Sequence, residues 1–253
     1  MNRHRSISRM SAGATLLAAG LALAGCSAGS SPSTSSPPSS AAGSAATGTP
    51  SGGSGSFTGT ELFPVAVGNT WVYRVITAGQ PAGTEVNKIT TVVPVAGGNR
   101  VTTTHEVRGT RSVSIKQTYL FGSDGSITVP LTSLGSSTFT VKSGGIVWPS
   151  QAQIDSGRPF HSTITATLTA AGQSRQISAR VTVQGAGSAR VTVPAGTYQA
   201  TVIDETVAEK LMGISISLRV RTWMAKGTGP VKSQVSTNGS TISSEELKSF
   251  TKG

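Results

Sequence analysis

Residues Gly213–Met224, GISISLRVRTWM, decide the fold. Ile214, Ile216, Leu218, Val220 and Met224 alternate with Ser215, Ser217, Arg219, Arg221 and Trp223. A period of two belongs to an extended strand, whose successive side chains point to opposite faces. One face is aliphatic and the other polar, as in an antiparallel sheet with one buried and one wet side. The preceding stretch Tyr198–Glu209, YQATVIDETVAE, has the same character and supplies a hairpin partner. Matching apolar with apolar aligns Val202 with Val220, Ala200 with Thr222 and Tyr198 with Met224 on the inner face. In that register Arg219 faces Ile203 on the outer side, with Glu205 diagonal to it, and Asp204 stands inside opposite Leu218.

The same period extends outward along the chain. Ile177, Ala179, Val181 and Val183 alternate with polar residues, and Ile164, Ala166, Leu168 and Ala170 with threonines. Turn residues fall between such runs: Gly122–Gly125, Ala171-Gly172, Gly185–Ser188 and Asn238-Gly239, the last a strong hairpin signal. The pattern predicts roughly ten or eleven strands and no long helix. A short helical turn fits Ser150–Asp155. Ser243–Glu246 reads as part of a last strand, with Glu245-Glu246 on a solvated face. The fold class is therefore all-β: a strongly curved antiparallel sheet or a partly open β-barrel.

Upstream of this domain the composition changes twice. Arg3, Arg5 and Arg9 precede an apolar stretch, Met10–Ala24, too short and too rich in Ala and Gly for a spanning helix. It ends in Leu23-Ala24-Gly25-Cys26, which resembles the bacterial lipobox. That resemblance implies cleavage between Gly25 and Cys26, diacylglycerol on the Cys26 sulfur, and residence on the extracytoplasmic face of the cell membrane. Two acyl chains give stable anchoring where one gives little. Ser27–Ser56 uses only Ser, Ala, Gly, Thr and Pro. With no large apolar side chain to bury, it reads as a disordered tether. Thirty such residues span about 30 Å on average and about 100 Å drawn out. The chain of 253 residues thus divides into a signal peptide (1–25), a lipidated cysteine and tether (26–56), and one all-β domain (57–253).

Three blocks of the domain carry a family resemblance. Phe63-Pro64-Val65-Ala66-Val67-Gly68-Asn69-Thr70-Trp71-Val72-Tyr73, Val193–Tyr198 (VPAGTY) and Thr222–Lys232 (TWMAKGTGPVK) are similar, in order and spacing, to an uncharacterised group of bacterial exported β-proteins. That group is in turn similar to the lipoprotein carriers of the LolA, LolB and LppX type. The resemblance implies a curved sheet with an apolar concave face. The chain departs from the carriers in having little of the helix that closes that face. Read physically, the blocks are turns and packing positions: Gly68-Asn69 before a strand, Pro194-Ala195-Gly196 as a tight turn, Gly227 and Gly229 around a bend.

Catalytic patterns are missing. No nucleophile elbow, zinc-protease motif, P-loop or dinucleotide fingerprint occurs, and a single cysteine excludes an internal disulfide framework. No catalytic residue, metal ligand or cofactor is assigned, and the protein reads as a non-enzyme. His105 follows Val101 and Thr103 on one face of its strand and suits a structural role. Asp204, if inward, needs either an arginine partner or a ligand.

The domain carries 18 Lys and Arg against 10 Asp and Glu. Nucleic acid does not meet a lipid-anchored exported protein, and no basic–aromatic stacking stripe appears. Two functional readings remain. In the first, a lipid or other amphiphile binds the concave face, with Val202, Asp204, Ile216, Leu218 and Val220 toward the ligand. In the second, an interaction or assembly module meets envelope proteins or anionic wall polymer through its basic outer face, where Arg219, Arg221 and Trp223 form the contact surface. A carrier needs an unfilled apolar concavity, whereas an interaction module needs a closed core and an exposed patch.

Overall fold

A computed structural model describes residues 59–109, 112–130, 139–143, 145–170, 173–211 and 214–253. Gly25, Cys26 and the tether lie outside the described residues. The strands are β1 (Thr70–Thr77), β2 (Gln80–Val95), β3 (Gly98–Arg108), β4 (Val113–Gly122), β5 (Ile127–Pro130), β6 (Phe139–Ser143) and β7 (Gly145–Trp148). After the short helix α1 (Gln151–Asp155) come β8 (Phe160–Ala170), β9 (Gln173–Val193), β10 (Gly196–Leu211), β11 (Ile214–Ala225), β12 (Gly229–Thr237) and β13 (Ser240–Thr251). They form one 13-stranded sheet in the order β6-β8-β9-β10-β11-β12-β13-β1-β2-β3-β4-β5-β7. The all-β expectation and the helical turn after Ser150 both hold. The count exceeds ten or eleven because Ile127–Trp148 contributes three very short strands.

The sheet rolls into a nearly closed barrel. β6 and β7 are separated in sequence by Gly144 alone, yet β6 pairs with β8 while β7 pairs with β5. One stretch of chain thus stands at both ends of the strand order and brings the two edges together. β7 approaches β8 and β9, but no backbone ladder joins them among the described residues.

Curvature comes from bulges. Where β10 passes from Thr201 to Ile203, the partner strand β9 passes from Ser188 to Gly185 and carries one extra residue. The expected turn at Gly185–Ser188 is this bulge inside an unbroken β9, with Gly187 at φ +84°. A Cβ on Gly185 would lie 2.0 Å from the Ile154 carbonyl oxygen, so the glycine is what lets α1 settle on β9. The Asn238-Gly239 hairpin is as expected, both residues having positive φ (49° and 79°).

The β10–β11 hairpin corrects the expected register. Its pairs are Val202 with Trp223, Asp204 with Arg221, Glu205 with Val220 and Val207 with Leu218, because Leu211 pairs directly with Ile214. The offset from the expected alignment is three residues. An odd slip exchanges the two faces of a strand. Asp204 is therefore on the outer face, and Glu205 is inside.

Inner side chains among the described residues pack into one core. Ile89, Val101, Val181, Val183, Val231 and Leu247 are wholly buried. The segment before β1 plugs one end, where the Phe63 ring packs 5.8 Å from Trp71, 5.9 Å from Tyr119 and 5.6 Å from Phe121. Trp71 donates its indole N–H to the Thr228 carbonyl (2.6 Å), and Tyr73 its hydroxyl to Pro230 (2.9 Å). A Cβ on Gly229, at φ +95°, would press to 3.2 Å from the Trp71 indole nitrogen, so both backbone and packing favour glycine there. The first and third sequence blocks are thus the two halves of this closed end, and the second joins it through the Ala195 amide bonded to Leu247.

Candidate functional site

On the outer face, the pairing of β11, β12, β13 and β1 lines up Trp223, Lys232, Glu246 and Arg74 across the strands. Lys232 Nζ lies 5.7 Å from the Trp223 ring centroid and 3.2 Å from Glu246 Oε1. Arg74 completes the row with an ion pair to the same Glu246 carboxylate. Glu246 is thus held in a charge ladder, not freely solvated. Burial alone would raise its pKa, but the Arg74 and Lys232 hydrogen bonds prevail and lower it. In the adjoining row Asp204 accepts hydrogen bonds from both Arg221 and Arg219. Arg219 and Arg221 keep about half and two-fifths of their side chains in solvent (53% and 39%).

Asp204 is therefore an outward acid clamped by arginines. Val202 shares that face, opposite Trp223, and is covered there. Leu218 and Val220 do point inward, but they belong to the continuous buried core together with Val181, Val183 and Val207. Ile216 pairs with Glu209 in the backbone ladder; its side chain lies outside the described residues. The structure thus brings Arg219, Arg221 and Trp223 onto one face and separates them from Leu218 and Val220.

Three glutamates occupy the interior: Glu85, which the sequence analysis did not name, and Glu205 and Glu245, which it placed on the outside. Glu85 on β2 and Glu245 on β13 flank β1 and hydrogen-bond to each other. Glu85 Oε1 is 3.3 Å from His105 Nδ1, and His105 Nε2 is 2.8 Å from Thr103 Oγ1 and 3.4 Å from the Tyr119 hydroxyl. Ser233 donates to Glu245 at 3.4 Å. Burial pushes the Glu85 pKa up and lowers that of His105 to about 4. His105 is thus a buried, satisfied side chain. Glu245, expected on a solvated face, is inside because β13 alternates it with Leu247 toward the core.

The third, Glu205, accepts the Trp148 indole N–H at 3.1 Å, and burial raises its pKa to about 7. A signal for all three exists in the sequence. Each stands two residues from an inner aliphatic or amide side chain: Asn87, Leu247, and Ile203 with Val207.

Near the plugged end, Leu62, Phe63, Trp148, Ile154, Ile203 and Met224 border a cleft of about 20 Å³. That is room for a water molecule, not for an acyl chain. Among the described residues no group of His, Cys, Asp and Glu is arranged to hold a metal ion, and no helix is long and apolar enough to cross a membrane.

The fold these residues define is a nearly closed antiparallel barrel of one continuous sheet. The chain belongs to the DUF3108-like family, which it matches over residues 67–247. Its fold is shared by a "putative lipoprotein" from Parabacteroides distasonis (TM-score 0.56, 15% identity, covering 76% of this chain and 99% of that one). It is also shared by a "putative exported protein with YmcC-like fold" from Bacteroides fragilis (TM-score 0.54, 16% identity, 75% and 98% covered). At these identities the likeness concerns the fold alone. No curated protein matches the sequence.

Proposed function

We propose that this protein is an acylated, non-catalytic module of the extracytoplasmic membrane face, one that works through its outer surface. Cys26 carries the lipid, Ser27–Ser56 forms the tether, and the barrel presents Arg219, Arg221 and Trp223 to anionic wall polymer. The observation that carries this reading is the division across β11: Leu218 and Val220 are consumed by the barrel's own core, while Arg219 and Arg221 stand in solvent. Burial of Glu85, Glu205 and Glu245 strengthens it. Acids held inside do not offset the basic exterior, so the surface is more cationic than the formal charge states.

The test is cosedimentation of the full-length protein with purified cell walls, before and after chemical removal of their anionic polymers. Binding should fall with salt, as an exposed electrostatic contact does. It should also fall on stripping the polymer and in the double variant Arg219→Glu, Arg221→Glu. Equal binding to stripped and intact walls would refute it.

A second reading, an amphiphile held on the inner face, is favoured by one observation. β11 pairs with β12 only from Leu218 onward, so Ile214–Ser217 run beyond that neighbour. A discrete lipid mass beyond the covalent anchor, carried by the full-length protein in native spectra and lost on denaturation, would support it.

A further inference from the structure

The seam of the barrel has an unusual construction. On one side is β7, paired to β5; on the other is the first half of β8, Phe160–Ile164, paired to β9 and left uncovered by β6, which pairs only with Thr165–Leu168. Between β7 and this part of β8 no backbone ladder forms among the described residues, so beyond the short β6–β7 chain connection it is side chains that hold the edges together. The polar contact spanning this gap from inside is the hydrogen bond from the Trp148 indole to Glu205 Oε2. Glu205 is 2% exposed, and its second oxygen, Oε1, has no hydrogen-bond partner.

Its cross-strand partners, Val183 of β9 and Val220 of β11, are aliphatic. Neighbouring inner positions on those strands and on β7 (Val181, Leu218, Thr222 and Ile146) bear no titratable group. A neutral carboxyl with one indole donor suits that place. A carboxylate there would keep one oxygen unsolvated in an apolar cavity, which is costly.

We infer that the β7–β8 seam is a proton-operated latch: protonated Glu205 under the Trp148 indole holds the barrel shut, and loss of that proton to solvent lets the seam part. Opening returns the carboxylate to water and bares the aliphatic wall of Val183, Ile203 and Val220. The latch is independent of the wall-polymer reading, since it lies inside the barrel and Arg219 and Arg221 lie outside.

The sign follows from proton linkage. An opened seam exposes Glu205 with an ordinary carboxyl value of about 4.3, whereas in the closed barrel burial raises it to about 7. The opening constant should therefore climb by up to about tenfold per pH unit between those values and level off above the higher one.

Hydrogen exchange on the full-length protein, corrected for the intrinsic pH dependence of amide exchange, reads this directly at Ile146–Trp148 and Phe160–Thr163. The expected result is a rise in opening from pH 5 to pH 7 that is absent in Glu205→Gln. Seam opening that is flat across this range in the wild type, or an unchanged pH response in Glu205→Gln, overturns the inference. Should that variant fold poorly, carbon-13 titration of the Glu205 carboxyl in the wild-type chain decides. A midpoint well above the usual range supports the latch, and one near about 4.3 overturns it.

Discussion

Arg221 grips Asp204 through two hydrogen bonds, Nε–H to Oδ1 at 2.7 Å and Nη2–H to Oδ2 at 2.8 Å, directly across the β10–β11 ladder. Arg219, diagonal to Asp204, donates to Oδ2 as well. Partial burial alone would raise the Asp204 pKa, but these donors outweigh it and hold the carboxyl below its ordinary value. The arrangement fixes which way β10 faces, since an outward Asp204 requires an inward Glu205.

Asp204→Asn should therefore cost about 1 kcal/mol at neutral pH, the scale of a partly exposed ion pair. The carboxyl is depressed in the folded state, so its contribution is present above the unfolded value of about 3.9 and is lost as pH falls through the folded one. Denaturant midpoints of wild type and Asp204→Asn should differ at pH 7 and converge below about pH 3. The same substitution frees both guanidinium groups and should strengthen wall binding. Weaker binding would detach Arg219 and Arg221 from the polymer contact.

The buried acids reverse this sign. Glu85 and Glu205 have folded pKa values above their unfolded ones, so each contributes fully below about pH 4.3 and loses that contribution as pH rises toward the folded value. His105, depressed to about 4 by burial against the opposing pull of Glu245, contributes above about pH 6.5 and loses it as pH falls. Two falling limbs outweigh one rising limb. Stability should decline between about pH 5 and pH 7, and Glu85→Gln with Glu205→Gln should turn the slope upward. Equilibrium unfolding across that range checks it; a wild-type midpoint that climbs toward neutrality contradicts the burial of neutral acids.

Much of this architecture is legible in the sequence because alternation is a local property. Ile214–Met224, Val181 with Val183, and Val101 through His105 each declare their inner face without reference to anything distant. The hairpin register is not local. Matching apolar partners favoured Val202 opposite Val220, yet the chain accepts Glu205 opposite Val220 because Trp148, 57 residues away, supplies the hydrogen bond. The bulge at Gly185–Ser188 is equally hidden, since its glycines look like a turn unless the approach of Ile154 is known. Of the expected outer contact face, Arg219, Arg221 and Trp223 emerge together. The expected inner ligand face splits because Asp204 and Val202 lie on its other side.

Anchoring is testable apart from the barrel. Cys26 is the chain's one cysteine, and it stands in the lipobox-like Leu23–Cys26 sequence. Cys26→Ser should leave the protein with its signal peptide uncleaved by the lipoprotein peptidase and without the diacylglyceryl mass on its mature N-terminus. Fractionation with mass spectrometry of the N-terminal peptide reads both. An acylated wild-type peptide beginning at Cys26 is the expected result. A mature chain beginning elsewhere would remove the lipid anchor from the proposed function.

The contrast between container and surface is sharpest at Leu218, which faces inward, is 7% exposed and belongs to the same core as Val181, Val207 and Val220. In a carrier, such a residue touches cargo, and truncating it weakens binding while leaving the empty barrel nearly as stable as before. In a barrel packed by its own side chains, truncation removes buried methyl groups and leaves a cavity the neighbours close only in part. Leu218→Ala should then lower stability by about 2–3 kcal/mol and leave wall binding unchanged once the protein is folded. Equilibrium unfolding of the full-length chain measures the first effect and cosedimentation the second. A variant as stable as wild type would mean that Leu218 lines a space the fold does not fill, and the amphiphile reading would then take precedence over the surface one.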